Sequence, residues 1–125
     1  MAVLEHVNVT VSNPTATAAW LGDVFGWRIR WQGDAMSGGH TAHVGDDDSY
    51  VALYAPAKPT NAPQDSYSTR AGLNHVGVVV DDLKTVEAKV KAAGFHPHNH
   101  GDYEPGTRFY FDDQDGVEWE VISYA

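Results

Sequence analysis

Leu4-Glu5-His6-Val7-Asn8-Val9-Thr10-Val11 and Leu73-Asn74-His75-Val76-Gly77-Val78-Val79-Val80 are two versions of one segment, 69 residues apart. The Leu, the His and three alternating Val positions coincide, five identities in eight positions. Downstream of each, a helical pattern ends in Gly plus an aromatic residue, Gly26-Trp27 and Gly94-Phe95, 68 residues apart. Self-similarity of this kind is the mark of a duplicated structural unit. The chain therefore reads as module one over about 1–55 and module two over about 72–125. Between them, about 56–71 is rich in Ala, Pro, Ser and Thr and reads as a linker.

Each copy reads as strand, helix and three strands. Alternation over 3–11 sends Val7, Val9 and Val11 to one face and Leu4, His6, Asn8 and Thr10 to the other. Asn13 can cap the first helix, with Pro14 at its first position, Gly26 past its end, and Ala16, Trp20, Leu21 and Val24 as its apolar stripe. Asp81 or Asp82 caps the second helix, whose stripe is Leu83, Val86, Val90 and Ala93 and whose stop is Gly94. Strands are expected near 27–32, 39–44 and 49–54, then near 95–99, 107–112 and 117–123, with tight turns at 45–48 and 112–116. The fold class is α+β. Two tandem βαβββ modules each cover one sheet face with a helix, and their bare faces form a cupped, incomplete eight-stranded barrel in a single domain over 1–125.

Composition narrows the function. With 125 residues the chain can bury a core without covalent staples. It has no cysteine, which removes disulfides, thiolate metal sites and thiol nucleophiles. Eight Lys and Arg against 17 Asp and Glu give a net charge of −9, so phosphate backbones and anionic lipid surfaces are repelled. Neither nucleic acid nor a membrane is an expected partner. The first residues carry no basic region followed by a long apolar run, so a cytoplasmic protein is expected.

Strand parity then selects candidate ligands. On the last strand Trp119 and Val121 share one face, and Glu118, Glu120 and Ile122 the other. With the valines and Trp119 beneath the helices, His6, His75 and Glu120 all point into the cup. Two imidazoles and one carboxylate suit a facial metal site with open positions, for Fe(II), Mn(II), Zn(II), Ni(II) or Co(II). A lone strand histidine is usually a hydrogen-bonded bystander; these two occupy the same slot of a duplicated unit.

The two Leu-x-His-Val segments, the Gly-aromatic pairs and Asp113-Gln114-Asp115-Gly116-Val117-Glu118-Trp119-Glu120 together resemble the vicinal oxygen chelate superfamily. Its members include glyoxalases, extradiol dioxygenases, fosfomycin resistance enzymes and bleomycin resistance proteins. The closing run is similar to the family's Asp-Pro-Asp-Gly-x-x-x-Glu, with Gln114 in place of Pro. The resemblance implies paired βαβββ modules, a homodimer, and a divalent metal that chelates two neighbouring oxygens of a small-molecule substrate. It places metal ligands at His6, His75 and Glu120. The family's fourth ligand position falls on Ala52 when Tyr50-Val51-Ala52-Leu53 is laid on Glu118-Trp119-Glu120-Val121, and a methyl group coordinates nothing.

Two His and one Glu are closer to extradiol dioxygenases and fosfomycin resistance enzymes than to four-ligand glyoxalases; fosfomycin-type transfer is the weaker of the two, because the loop from Gly101 to Gly106 lacks a Lys, and Fe(II) is the favoured metal on the extradiol reading. Tyr110, ahead of Glu120, resembles the extradiol signature, and His100 lies roughly where that family keeps an acid–base histidine. Tyr110 and His100 are thus the candidate catalytic residues. His40, Tyr50, Ala52, Tyr54 and Arg108 are candidate pocket residues by strand parity and repeat alignment. Two alternatives stand beside ring cleavage: a glyoxalase-like lyase or isomerase, and a metal-free ligand-sequestering protein of bleomycin resistance type. On a strand His96, His98 and His100 share one face, which could bind adventitious nickel or zinc but is most simply an exposed polar edge.

Overall fold

A computed structural model describes residues 1–61 and 65–125. Their element order is β1 (His6–Thr10), α1 (Pro14–Phe25), β2 (Arg28–Ala35), β3 (Gly39–Gly45), β4 (Tyr50–Ala55), β5 (Val76–Val79), α2 (Leu83–Ala92), β6 (His98–Tyr103), β7 (Gly106–Asp112) and β8 (Glu118–Ser123). The chain divides into two compact units, Met1–Asn61 and Ala62–Ala125, each a βαβββ module. The strands bond as two separate four-stranded sheets, β1-β4-β3-β2 and β5-β8-β7-β6, and not as a closed barrel.

The two sheets are wired alike. In each, the first strand runs parallel to the fourth, with Val7 beside Val51 in one unit and Val76 beside Trp119 in the other. A parallel pair needs a crossover, and α1 and α2 supply it. The matching registers set Tyr50 against Glu118 and Ala52 against Glu120, as the repeat alignment expects.

Helix α1 starts where its sequence dictates. The Asn13 side chain accepts a hydrogen bond from the Ala16 amide at 3.1 Å, Pro14 takes the first helical position, and Gly26 closes the helix at φ 73°. Its buried stripe is Pro14, Thr17, Ala18, Trp20, Leu21 and Val24, whereas Ala16 is exposed. That face packs against β2, β3 and β4, where Ala42, Val44, Val51 and Leu53 are buried.

Helix α2 is held more lightly. Asp82 is its cap, accepting from the Thr85 amide, and Val90 is its fully buried residue; Ala93 is exposed. Gly94 follows with φ 96°, a left-handed value that glycine adopts without steric cost. Beneath it lie Phe109, Phe111, Trp119 and Val121, all essentially buried.

The hairpin turns repeat as well. The Asp46 carboxylate accepts from the Asp48 and Ser49 amides, and the Asp113 carboxylate accepts from those of Asp115 and Val117. Asp113 also accepts from the Trp119 indole at 3.2 Å, tying the β7–β8 turn to the core. Burial pushes the Asp113 carboxyl upward against the lowering effect of these bonds.

The α1 cap gives a direct test. Asn13→Ala should lower unfolding free energy by about 1 kcal/mol in urea denaturation, while Asn13→Ser should stay near wild type. Equal stability of all three proteins would show that the cap contributes nothing.

Candidate metal centre

In the second module the open sheet face is built from β5, β8 and β7. His75 precedes β5, and parallel pairing sets it alongside the start of β8. Its Nε2 is 3.4 Å from Glu120 Oε1, and its Nδ1 is 3.5 Å from Glu118 Oε1. Tyr110, directly opposite Glu120, donates its hydroxyl to Glu120 Oε2 at 3.0 Å. The Arg108 guanidinium donates to the same oxygen at 3.0 Å, with both side chains nearly buried at 11% and 13% exposure. Glu120 is therefore clamped through one oxygen and turns the other toward the imidazole.

The tautomer of His75 follows from its other neighbour. The Tyr67 hydroxyl donates to Glu118 Oε1 and lies 3.0 Å from His75 Nδ1. A phenol has one proton, and here the carboxylate takes it. The Tyr67 oxygen is then the acceptor and His75 Nδ1–H the donor, which leaves the lone pair on Nε2, beside Glu120. An imidazole anchored through one nitrogen and presenting the other is the arrangement found behind metal-ligating histidines.

The first module repeats the pattern. His6 Nδ1 is 2.9 Å from Glu5 Oε1, and the Tyr50 hydroxyl donates to the same oxygen at 3.3 Å. The His6 ring stacks on Tyr50 with centroids 4.8 Å apart, and His43 stacks on Tyr50 at 4.5 Å. Arg30 sits over the Tyr50 ring at 4.7 Å, a cation–π contact. Burial lowers the His43 pKa, and the positive charges near it, His6 and Arg30, lower it further.

The donor set fits a divalent ion. Two ligands each about 2.1 Å from one cation stand roughly 3.0–3.5 Å apart when cis, and His75 Nε2 and Glu120 Oε1 are 3.4 Å apart. Both are donors that borderline divalent metals accept.

Other expected site residues are distributed differently. Tyr50, Ala52 and Tyr54 alternate on β4 opposite His6, Asn8 and Thr10, on the open face of module one. The Tyr54 hydroxyl is committed to the Met36 carbonyl at 3.0 Å. His40 is turned to the other face: it pairs with Ala55, while Thr41 pairs with Tyr54 and His43 with Ala52. Its Nε2 meets Gln32 at 3.2 Å. His43 is thus the β3 histidine on the open face, in the slot that Tyr110 fills in module two. The matching turns at Asp46 and Asp113, 67 residues apart, carried that alignment in the sequence.

His100 also lies away from the open face. A bulge between His98 and Gly101, with Asn99 at φ 53°, breaks the alternation of β6. His98 pairs with Tyr110 and stacks on its ring, whereas His100 stacks on buried Phe109 and meets Glu87 of α2 at 2.8 Å. The helix-side position of His100 separates it from Tyr110 and Glu120, and the three histidines of this strand do not share a face.

The sequence profile of the Glyoxalase/Bleomycin resistance protein/Dioxygenase superfamily matches residues 3–121. The chain belongs to this superfamily. No curated protein matches it in sequence. Among solved structures it is similar to a glyoxylase/bleomycin resistance protein/dioxygenase domain from Frankia sp. EAN1pec, 21% identical over 98% of each chain with TM-score 0.82. It is similar to the trypanothione-dependent glyoxalase I of Leishmania major, 14% identical over 99% of this chain and 88% of that one, TM-score 0.79. It also resembles fosfomycin resistance protein FosX of Listeria monocytogenes in complex with Mn(II) and sulfate, 16% identical over 98% and 93%, TM-score 0.74. At these identities the likeness is one of fold. No helix among the described residues is long and apolar enough to cross a membrane.

The Tyr67–Glu118 contact has a spectroscopic consequence. Donation to the Glu118 carboxylate, with some burial, pushes the Tyr67 phenol up to about 12. The neutral phenol is favoured in the folded state, so this contribution to stability is complete below about pH 10 and drains as pH rises through the folded value. Ultraviolet titration should show a latest-ionising tyrosine component that disappears in Tyr67→Phe and moves down in Glu118→Gln. An unchanged titration in both variants would contradict the contact.

Proposed function

We propose that this superfamily member is a divalent-metal-dependent enzyme acting on a small substrate with two adjacent oxygens. His75 and Glu120 hold the metal. The observation that carries the reading is the disposition of His75 Nε2 and Glu120 Oε1, each presented by partners that occupy its other polar atom. A bound divalent ion supplies Lewis acidity toward the paired oxygens and, as Fe(II), access to O₂.

The chain's own residues do the remaining work. Arg108 and Tyr110 fix the Glu120 carboxylate, so its orientation costs nothing further when substrate enters. Burial and the bond to Glu120 raise the Tyr110 pKa, so its hydroxyl keeps its proton near neutrality. That proton can be redirected to a substrate oxygen held beside Glu120. Burial opposes the Arg108 charge, but the bond to Glu120 and the electrostatic pull of Tyr103, Glu120 and Tyr110 together outweigh it and raise the pKa, so the guanidinium stays cationic.

Among reactions, extradiol-like ring cleavage with Fe(II) is the finer reading, resting on Tyr110 beside Glu120 on the open face. A glyoxalase-like lyase or isomerase is the second reading, and the position of His100 favours it, because ring cleavage loses the acid–base histidine expected there.

Metal analysis after anaerobic reconstitution and desalting tests the proposal. Wild type should retain divalent metal, with a loss of at least roughly tenfold in occupancy in His75→Ala and Glu120→Gln, while His100→Ala keeps it. Retention of Fe(II) with O₂ uptake on catechols would select ring cleavage. Metal content indifferent to His75 and Glu120 would refute the centre and leave a ligand-sequestering protein.

A further inference from the structure

The open face of module two carries a second group of donors that the proposed centre does not use. Asp112 and Glu118 sit directly opposite each other across β7 and β8, at the mouth of the hairpin. Like charges in directly opposed positions repel, so this pair weakens the sheet unless a positive group sits between them. The nearby guanidinium, Arg108, is committed to Glu120 through NH1. His98 is the group that approaches instead: its Nε2 is 3.6 Å from Asp112 Oδ2.

That separation is too long for a hydrogen bond. His98 Nε2 is nonetheless shut off from solvent and has no hydrogen-bond partner, although the side chain as a whole is 37% exposed. A buried ring nitrogen without a partner is costly. One ligand atom each from His98, Asp112 and Glu118 lies within 4.8 Å of the others. An unsatisfied imidazole nitrogen facing two opposed carboxylates at that spacing offers three donors to one cation.

We propose that His98, Asp112 and Glu118 form a second divalent-cation site on module two, distinct from His75 and Glu120. One imidazole and two carboxylates suit Zn(II) or Mn(II), with the remaining positions filled by water or ligand. The bulge at Asn99 creates the site, because it brings His98 onto the face of Tyr110, Asp112 and Glu118 and sends His100 to α2. Glu118 joins the two centres, since its Oε1 also receives the Tyr67 hydroxyl and lies 3.5 Å from His75 Nδ1. A cation drawing on Glu118 therefore acts on the anchor of His75, and its occupancy tunes the first centre.

Calorimetric titration with Zn(II) alone tests this in the Glu120→Gln protein, where the first centre lacks a ligand; His75→Ala serves as an independent background. Saturable Zn(II) binding is expected in both. Adding His98→Ala or Asp112→Asn should weaken it by at least roughly tenfold, while His96→Ala leaves it unchanged, with circular dichroism establishing that each variant is folded. No binding in either background, binding indifferent to His98 and Asp112, or equal weakening by His96→Ala would overturn the site. The first centre is scored separately, by the metal that wild type keeps through desalting and that His75→Ala and Glu120→Gln lose, so the two proposals fail independently.

Discussion

The parallel pairing of the first and fourth strands in each module is the constraint on which the rest of the structure depends. A one-residue slip of β5 against β8 would exchange the faces of the whole strand. The register Val76 beside Trp119 sends the valines and Trp119 beneath α2 and leaves His75 and Glu120 on the open side. The buried aromatic cluster of Phe109, Phe111 and Trp119 enforces that choice, because shifting it would expose three large rings. The site geometry is thus a by-product of core packing on the opposite side of the same strands.

Around Glu120 the polar groups are arranged so that none of the strong donors compete. Arg108 and Tyr110 share Oε2, and Oε1 faces His75. Around His75 the Tyr67–Glu118 pair settles the tautomer. The first module shows a related solution, with Glu5 and Tyr50 anchoring His6. Duplication has preserved the anchored histidine in both modules, whereas the carboxylate position became Ala52 in the first and Glu120 in the second.

Much of this was legible in the sequence because it follows from alternation and repetition. The duplicated Leu-x-His-Val segment, the Asn13 cap and the parity of Glu120 against Trp119 are local patterns, and a strand of regular pleat must obey them. What escaped was irregular. The position of His100 is hidden because a single bulged residue, Asn99, resets parity, and asparagine accepts that backbone without a distinguishing sequence pattern. His43 rather than His40 faces the open side because the loop lengths of the two modules differ slightly, and the turn aspartates rather than the strand starts hold the alignment. Tyr67 lay in a stretch whose composition reads as linker, and composition does not reveal that one ring folds back onto Glu118.

The proposed centre places His75 Nε2 and Glu120 Oε1 on one divalent ion. Anomalous diffraction from crystals grown with Mn(II) locates that ion. A peak about 2.0–2.3 Å from both atoms is expected, with the Arg108 and Tyr110 bonds to Glu120 Oε2 retained. Crystals saturated with Mn(II) that show no anomalous density between His75 and Glu120 would contradict it.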